Sequence, residues 1–470
     1  MKNYLGQSLA LSALVMVFLV LLSMVSRETS IAGIELRRMD IFSDVRHVSP
    51  EVLSEEPLDS LYVMPDTTLL AGDTLVEEGN VPRPVVDSAL WGQRIEDYTF
   101  NESGLSPFFS AVARIADEQK KVRVAFFGDS FIEGDILLGD LRDSLQSVWG
   151  GEGVGYVPFT SEISRFRRTF LQRSKGAWRS WSIVNNEGNA FPLGVNGHVY
   201  IPGEDAGAHF DGTHQYGFGH TARWSDVRMF YRAGEGVSFI WQTNLTGAKT
   251  AFLPATKKTI GLWETSYPGM ESFSTQFPQT NHLQLYGLSF ESGPGIYFDN
   301  FSTRGNSGGK LRLIQAEMYQ AFDEYQHYDL IVLQFGLNAV TNSLRNIKWY
   351  EAELDKMYAH IRTAYPNTPV LVMSVPDRGG KVNGVLTTMV SVPYIVEMQR
   401  QLARKHGFLF YDFYRGMGGY NSMVALAAAS HPTLVNKDYT HLTHEGGRYI
   451  GRQLAGLFLR EYQFFIQKNQ

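Results

Sequence analysis

The chain has 470 residues, 44% of them hydrophobic and 19% charged, which is apolar material for two or three packed domains and too much for wholesale disorder. Lys and Arg (42) against Asp and Glu (48) leave a net charge of −6, so no overall basic field collects nucleic-acid phosphates. There is no cysteine, which removes disulfides, thiolate metal sites and cysteine nucleophiles together.

In chain order, residues 3–26 carry no charge, and 9–25 read LALSALVMVFLVLLSMV. A helix rising about 1.5 Å per residue would cross most of a ~30 Å hydrocarbon layer over such a run, which predicts a transmembrane signal anchor at 1–30. Lys2 on the N-terminal side favours export of the rest, giving a single-pass protein of the cytoplasmic membrane that faces the periplasm or cell exterior. A cleaved signal peptide and a buried core helix are the alternatives; no Ala-x-Ala-like pair closes the run, which favours the anchor. Residues 31–90 hold twelve acidic and four basic residues with scattered prolines. They predict an acidic, extended stalk, with a few short packed strands as the alternative.

Beyond the stalk the pattern turns globular. Helices are predicted at 108–119, 135–149, 349–365, 390–406 and 445–463, and apolar strands at 121–127, 328–335, 369–375 and 408–412. Strands apolar on both sides and alternating with helices indicate an α/β fold, a parallel sheet with helices on both faces. Between about 160 and 309 short aromatic and β-branched runs are separated by Gly, Asn and Pro, an all-β signature. The expected layout is an α/β domain in two parts, 91–160 and 305–470, interrupted by an inserted β-sandwich at 161–304.

Four short motifs carry chemistry. Gly128-Asp129-Ser130 follows a buried strand, where Ser130 would enter the crevice at the strand ends; a plain strand-to-helix turn is the alternative. Asp438-Tyr-Thr-His441 offers a base and a carboxylate to orient it from one loop, with His444 as competing base and a simple helix start at Thr443 as the alternative. Asn338, two residues after Gly336, could donate to an oxyanion or cap the next segment. The glycine-dense loop Arg304-Gly-Asn-Ser-Gly-Gly309 could add a backbone amide at the same point, or be a flexible linker.

In this order the four motifs resemble the SGNH (GDSL-type) hydrolase superfamily over about 90–160 and 305–470. The resemblance implies Ser130 as nucleophile, His441 as base and Asp438 as its orienter. It also implies an oxyanion hole from the Ser130 amide, the Asn338 side chain and a glycine amide, Gly308 first and Gly305 in reserve. The first block reads GDSFIEGD rather than GDSL, which leaves the nucleophile untouched. Gly128–Asp135, Leu141-Arg-Asp-Ser-Leu145, Gly150–Tyr156 and Met417-Gly-Gly-Tyr420 further resemble bacterial peptidoglycan O-acetylesterases, which carry a β-rich insertion in the same place.

That resemblance implies a serine esterase removing O-acetyl groups from a cell-envelope polysaccharide, with no cofactor and no metal. An O-acyltransferase drawing on a membrane acyltransferase partner is one alternative, and a non-catalytic glycan-binding protein another. The insertion's Trp178, Trp181, Trp224, Trp241 and Trp263 could stack on sugar rings or fill a sandwich core. His209, His214 and His220 match no familiar metal spacing, and Arg165, Arg167 and Arg168 form a small basic patch, read as a solvated loop with a hold on an anionic glycan as the alternative.

Overall fold

The computed structural model describes residues 93–100, 103–280, 282–428 and 432–469, with the backbone of residues 30, 31, 34 and 35. Two units are distinguished, Met1–Gly72 and Asp73–Gln470. In the first, Ser30–Ile31 pairs antiparallel with Ile34–Glu35. The run 3–26 expected to be a membrane anchor, and the rest of the expected stalk, lie outside the described residues. Among the described residues no helix is long and apolar enough to cross a membrane.

The second unit is built on six strands: β1 (Glu96–Asp97), β2 (Lys121–Gly128), β3 (Gly295–Ser302), β4 (Leu330–Gln334), β5 (Val370–Met373) and β6 (Leu409–Tyr411). They form one sheet in the order β3-β2-β4-β5-β6-β1, parallel throughout except at the β6–β1 edge. Every residue of β4 and β5 is buried, so both faces of the sheet are covered, as their unbroken apolar runs require. Helix Ile347–Ala364 buries Tyr350, Leu354, Met357, Tyr358 and Ile361, the three-and-four spacing of one helical face.

Two expected helices differ by more than a shift of one or two residues at their starts. The run expected at 108–119 breaks into Ser106–Ala113 and Ile115–Glu118. The helix expected from 135 begins at Leu138, because Gly134 (φ +67°) and Asp135 (φ +59°) hold the preceding turn in the left-handed region.

The β-rich part is two packed antiparallel sheets. One runs Gly261–Met270, Trp224–Arg232, Gln284–Ser292, His198–Pro202, Trp178–Ser182, with Glu152–Val157 also paired to Gln284–Ser292. The other runs Lys249–Leu253, Val237–Thr243, Ser272–Phe277, Ala206–Gly212, Phe170–Lys175. Along Trp224–Arg232, Val227, Met229 and Tyr231 enter the core between the sheets. Phe230 points the other way, its ring centroid 4.8 Å from that of Phe322 in helix Ala316–Gln326. One sheet thus packs on both its own partner and the α/β layer.

Two strands sit on the other side of the expected boundaries. Glu152–Val157 belongs to the β-rich part by its pairing, and Gly295–Ser302, placed in the insertion from sequence, is β3 of the parallel sheet. Both are buried on either face, so their own patterns carry no sign of which sheet they join. Trp224 and Trp241 are buried in the sandwich; Trp178 and Trp263 are half-buried against its core, and Trp181 is half-buried against the core that contains the parallel sheet.

The closing helix, His444–Asn469, presents Gly447 and Gly451 to the segment that follows Ser130. A Cβ on Gly447 would lie 2.1 Å from the Ile136 carbonyl oxygen, and one on Gly451 would lie 2.6 Å from that of Leu137. Backbone therefore meets backbone there. Gly447→Ala should cost about 1–3 kcal/mol through overpacking, whereas the same change at an exposed helical site stabilises. A denaturant midpoint unchanged or raised in Gly447→Ala would contradict this contact.

Candidate active site

Strand β2 ends at Gly128, where a Cβ would lie 2.7 Å from Ile132 Cδ1 and 3.1 Å from the Gln334 carbonyl oxygen, so a larger residue would press on the turn and on β4. The turn delivers Ser130 at the carboxyl end of the sheet. Its Oγ lies 2.9 Å from Nε2 of His441, which comes from 311 residues away.

His441 is held by its own loop. The Asn436 amide donates to the His441 carbonyl (2.8 Å), the Tyr439 amide donates to Asn436 O (2.9 Å), and the Gly379 amide donates to Tyr439 O (2.9 Å). Asp438 Oδ2 lies 2.6 Å from His441 Nδ1, and its Oδ1 accepts from the Thr440 and His441 amides at 3.0 Å each. Partial burial opposes the charge, but these hydrogen bonds outweigh it and hold the Asp438 carboxyl below its ordinary value. An ionised carboxylate can only accept. The Nδ1 nitrogen therefore carries the proton, and the Nε2 lone pair faces the Ser130 hydroxyl.

The competing base, His444, is not brought to Ser130. It starts the closing helix and shares a small cavity with Asp135 and Arg168; burial, then Arg168, lower its affinity for a proton. Thr443 caps that helix by accepting from the Gly446 amide at 3.1 Å, so a helix start and a carboxylate-held imidazole occur together in this loop.

Asn338 stands in a one-turn 3-10 helix, Leu337–Ala339, after β4. Gly336 allows this at φ +136°, where a Cβ would lie 2.7 Å from Val375 Cβ. Arg378 Nη1 fixes the turn by donating to Leu337 O at 2.8 Å. Asn338 is exposed, and its Nδ2 donates to Asn306 O at 3.1 Å, leaving its second amide hydrogen open.

The glycine expectation needs correcting. Gly308 is buried, and its amide already donates to Asn306 Oδ1 at 2.9 Å, so it has no hydrogen to offer an oxyanion. Gly305 is exposed at φ +76°, and neither its amide nor that of Ser130 meets a protein acceptor among the described residues. Asn306, the residue that ties both loops together, was visible in sequence only as one polar residue among glycines.

Sequence reading also missed Asp135. It is buried, accepting from Thr169 Oγ1 (2.7 Å) and Asn300 Nδ2 (2.8 Å), with Arg142 Nη2 at 3.4 Å and Arg167 Nε at 3.9 Å. Burial raises its pKa, yet Arg142, Arg167 and the hydrogen bonds prevail and hold the carboxyl well below the usual range. Arg167, expected on a solvated loop, is therefore buried, while Arg165 is exposed and Arg168 lies over the Tyr216 ring. The three insertion histidines do not converge: His209 binds Ser274 and Asp211, His220 binds Asp143, and His214 is exposed. Among the described residues no group of three or more His, Asp or Glu is arranged to hold a metal ion.

Residues 281–449 match the GDSL-like lipase/acylhydrolase family, a span that holds Asn338, Asp438 and His441. Over that span the chain is similar to GDSL-like acylhydrolases. Ser130 lies outside the matched span, separated from it by most of the β-rich part and joined to it only in three dimensions. Among solved structures the fold is similar to one described as a peptidoglycan O-acetylesterase in action (TM-score 0.62, 20% identity, covering 78% of this chain and 99% of that one). A family two carbohydrate esterase from Clostridium thermocellum in complex with cellohexaose also matches, at TM-score 0.27 and 9% identity, covering 58% of this chain and 98% of that one. No curated protein matches the chain.

Beneath the site, burial pushes the Asp129 carboxyl up to about 7, against the hydrogen bond it accepts from the Phe131 amide. A carboxyl raised from 3.8 to about 7 keeps its proton in the folded chain while the unfolded chain releases it. Its contribution to stability is full below 3.8 and is lost as pH rises to about 7. Wild type should therefore lose melting temperature relative to Asp129→Asn across that window and run parallel above it. Parallel behaviour over the whole range would contradict the buried, protonated state.

Proposed function

We propose that this chain is a serine esterase that removes O-acetyl groups from a cell-envelope polysaccharide through an acyl-enzyme on Ser130. The observation that carries the reading is the aligned series Ser130 Oγ, His441 Nε2, His441 Nδ1 and Asp438 Oδ2, at 2.9 and 2.6 Å, beside open amide donors. Ser130 Oγ attacks the acetyl carbonyl while His441 Nε2 takes its proton and Asp438 stabilises the imidazolium. The carbonyl oxygen gathers negative charge among the Ser130 amide, the Gly305 amide and Asn338 Nδ2. Collapse breaks the ester bond, and the sugar oxygen leaves with the proton from His441. Water then enters, gives a proton to His441 and attacks the acyl carbonyl. The serine leaves with that proton, and acetate is released.

The polysaccharide assignment draws on the sequence resemblance to peptidoglycan O-acetylesterases and on the polar cavity beside the site. Transfer to a sugar instead of water would use the same acyl-enzyme, so the acceptor decides between esterase and transferase. We place the catalytic unit outside the cytoplasmic membrane, held by the N-terminal apolar run, on the charge pattern of residues 1–30.

Incubating the full chain with O-acetylated peptidoglycan and O-acetylated neutral glycans, and quantifying free acetate against acetylated product, tests the assignment. Acetate should dominate. Ser130→Ala should lower kcat by about three orders of magnitude or more without changing the melting temperature. Asn338→Ala should lower kcat about 10²–10³-fold with a smaller effect on KM, the mark of a donor used mainly in the transition state. Full activity in Ser130→Ala would refute the mechanism; transfer exceeding hydrolysis would replace esterase by transferase.

A further inference from the structure

Beside the oxyanion loop, the α/β and β-rich parts together enclose a cavity of about 310 Å³. Arg304, Glu133 and Ser302 line it from the catalytic side, and Ser182, Tyr200 and Arg167 from the β-rich side. Its place relative to the chemistry is fixed by backbone: Ser302 lies in register with Gly128, and the Thr303 amide donates to Gly128 O at 2.9 Å. Arg304 immediately precedes Gly305. The cavity wall is thus continuous in backbone with the turn that carries Ser130 and with Gly305.

Arg167 is the unusual wall. It is 6% exposed, and neither its Nε nor its Nη1 has an acceptor. The carboxylate oxygen near it, Asp135 Oδ2, is 3.9 Å from Nε, beyond hydrogen-bond length, and Asp135 already serves Arg142, Thr169 and Asn300. Two buried guanidinium groups thus share one carboxylate. The cavity's other acids do not make up the difference: Glu133 is paired with Arg304 at 2.5 Å, and Glu162 is exposed. Nε and Nη1 are closed to solvent, so Arg167 meets the cavity through its other atoms; a buried cation left short of acceptors on the wall of a polar cavity is costly unless something anionic completes it.

We infer that this cavity is a subsite for a carboxylate carried by the glycan, and that Arg167 receives it. The inference rests on the esterase reading of the adjoining site and narrows it: the preferred substrate is an acidic, O-acetylated glycan. The shared chemistry is a carboxylate on a sugar ring or on a sugar ether, and the test separates the two.

The full chain is assayed on O-acetylated galacturonoyl and muramoyl disaccharides with the carboxylate free, and on the same compounds as carboxamides. Wild type should favour the free acid by about tenfold or more in kcat/KM, chiefly through KM, for at least one of the two sugars. Arg167→Gln, checked for folding by its melting temperature, should bring that ratio to about one. Calorimetry of the deacetylated acid and carboxamide on wild type reads the same preference without ester cleavage or any substitution. Equal binding of acid and carboxamide by wild type overturns the subsite. Preferred binding of the acid with no acetate release from any glycan, while p-nitrophenyl acetate is hydrolysed, instead overturns the glycan-esterase reading and leaves the subsite standing.

Discussion

His441 reaches Ser130 because the helix behind it lies backbone to backbone on residues 136 and 137. Gly447 and Gly451 leave no side chain between the closing helix and the carbonyl groups of Ile136 and Leu137. Any Cβ there would lift the helix, and the loop 434–443 that leads into it, away from the turn after Ser130. A hydroxyl-to-imidazole distance of 2.9 Å tolerates little such movement, since misplacement by an ångström already costs orders of magnitude in rate. Interior helical glycine lowers helix propensity by roughly 1 kcal/mol; here that local loss is exchanged for the approach the chemistry requires.

Asp135 does for the β-rich part what the glycines do for the closing helix. Its carboxylate gathers Arg142 from the helix after Ser130, Asn300 from β3, and Thr169 and Arg167 from the β-rich side. Asn300 Nδ2 also donates to Ile132 O at 2.9 Å, tying the turn after Ser130 into the same cluster. A buried ion network of this sort is seldom better than apolar packing for net stability. Its consequence here is positional: the turn carrying Ser130 and the wall carrying Arg167 are held by one group.

Much of this was legible in the sequence because its signals are local. Apolar runs with glycine at their ends marked β2 and β4, and Asp438 three residues before His441 marked a loop that could orient its own base. Hidden features depended on distant partners. Gly295–Ser302 and Glu152–Val157 exchange sides because strand pairing is decided by neighbours more than 100 residues away. Gly308 fits an oxyanion donor better than Gly305 by position in the sequence, yet the Asn306 side chain occupies its amide. Arg167 and Arg168 are adjacent and chemically alike, yet the first is buried beside Asp135 and the second lies over Tyr216; no property of the dipeptide separates them.

The measurement closest to the central claim is the identity of the acylated residue. Quenching the full chain in acid during turnover of an O-acetylated glycan, then mapping peptides by mass spectrometry, should find one acetyl group on the peptide bearing Ser130. That adduct should accumulate when deacylation is slowed and be absent from Ser130→Ala. Acetate release without any acetyl-serine intermediate, or an acetyl group carried by another residue, would contradict the account.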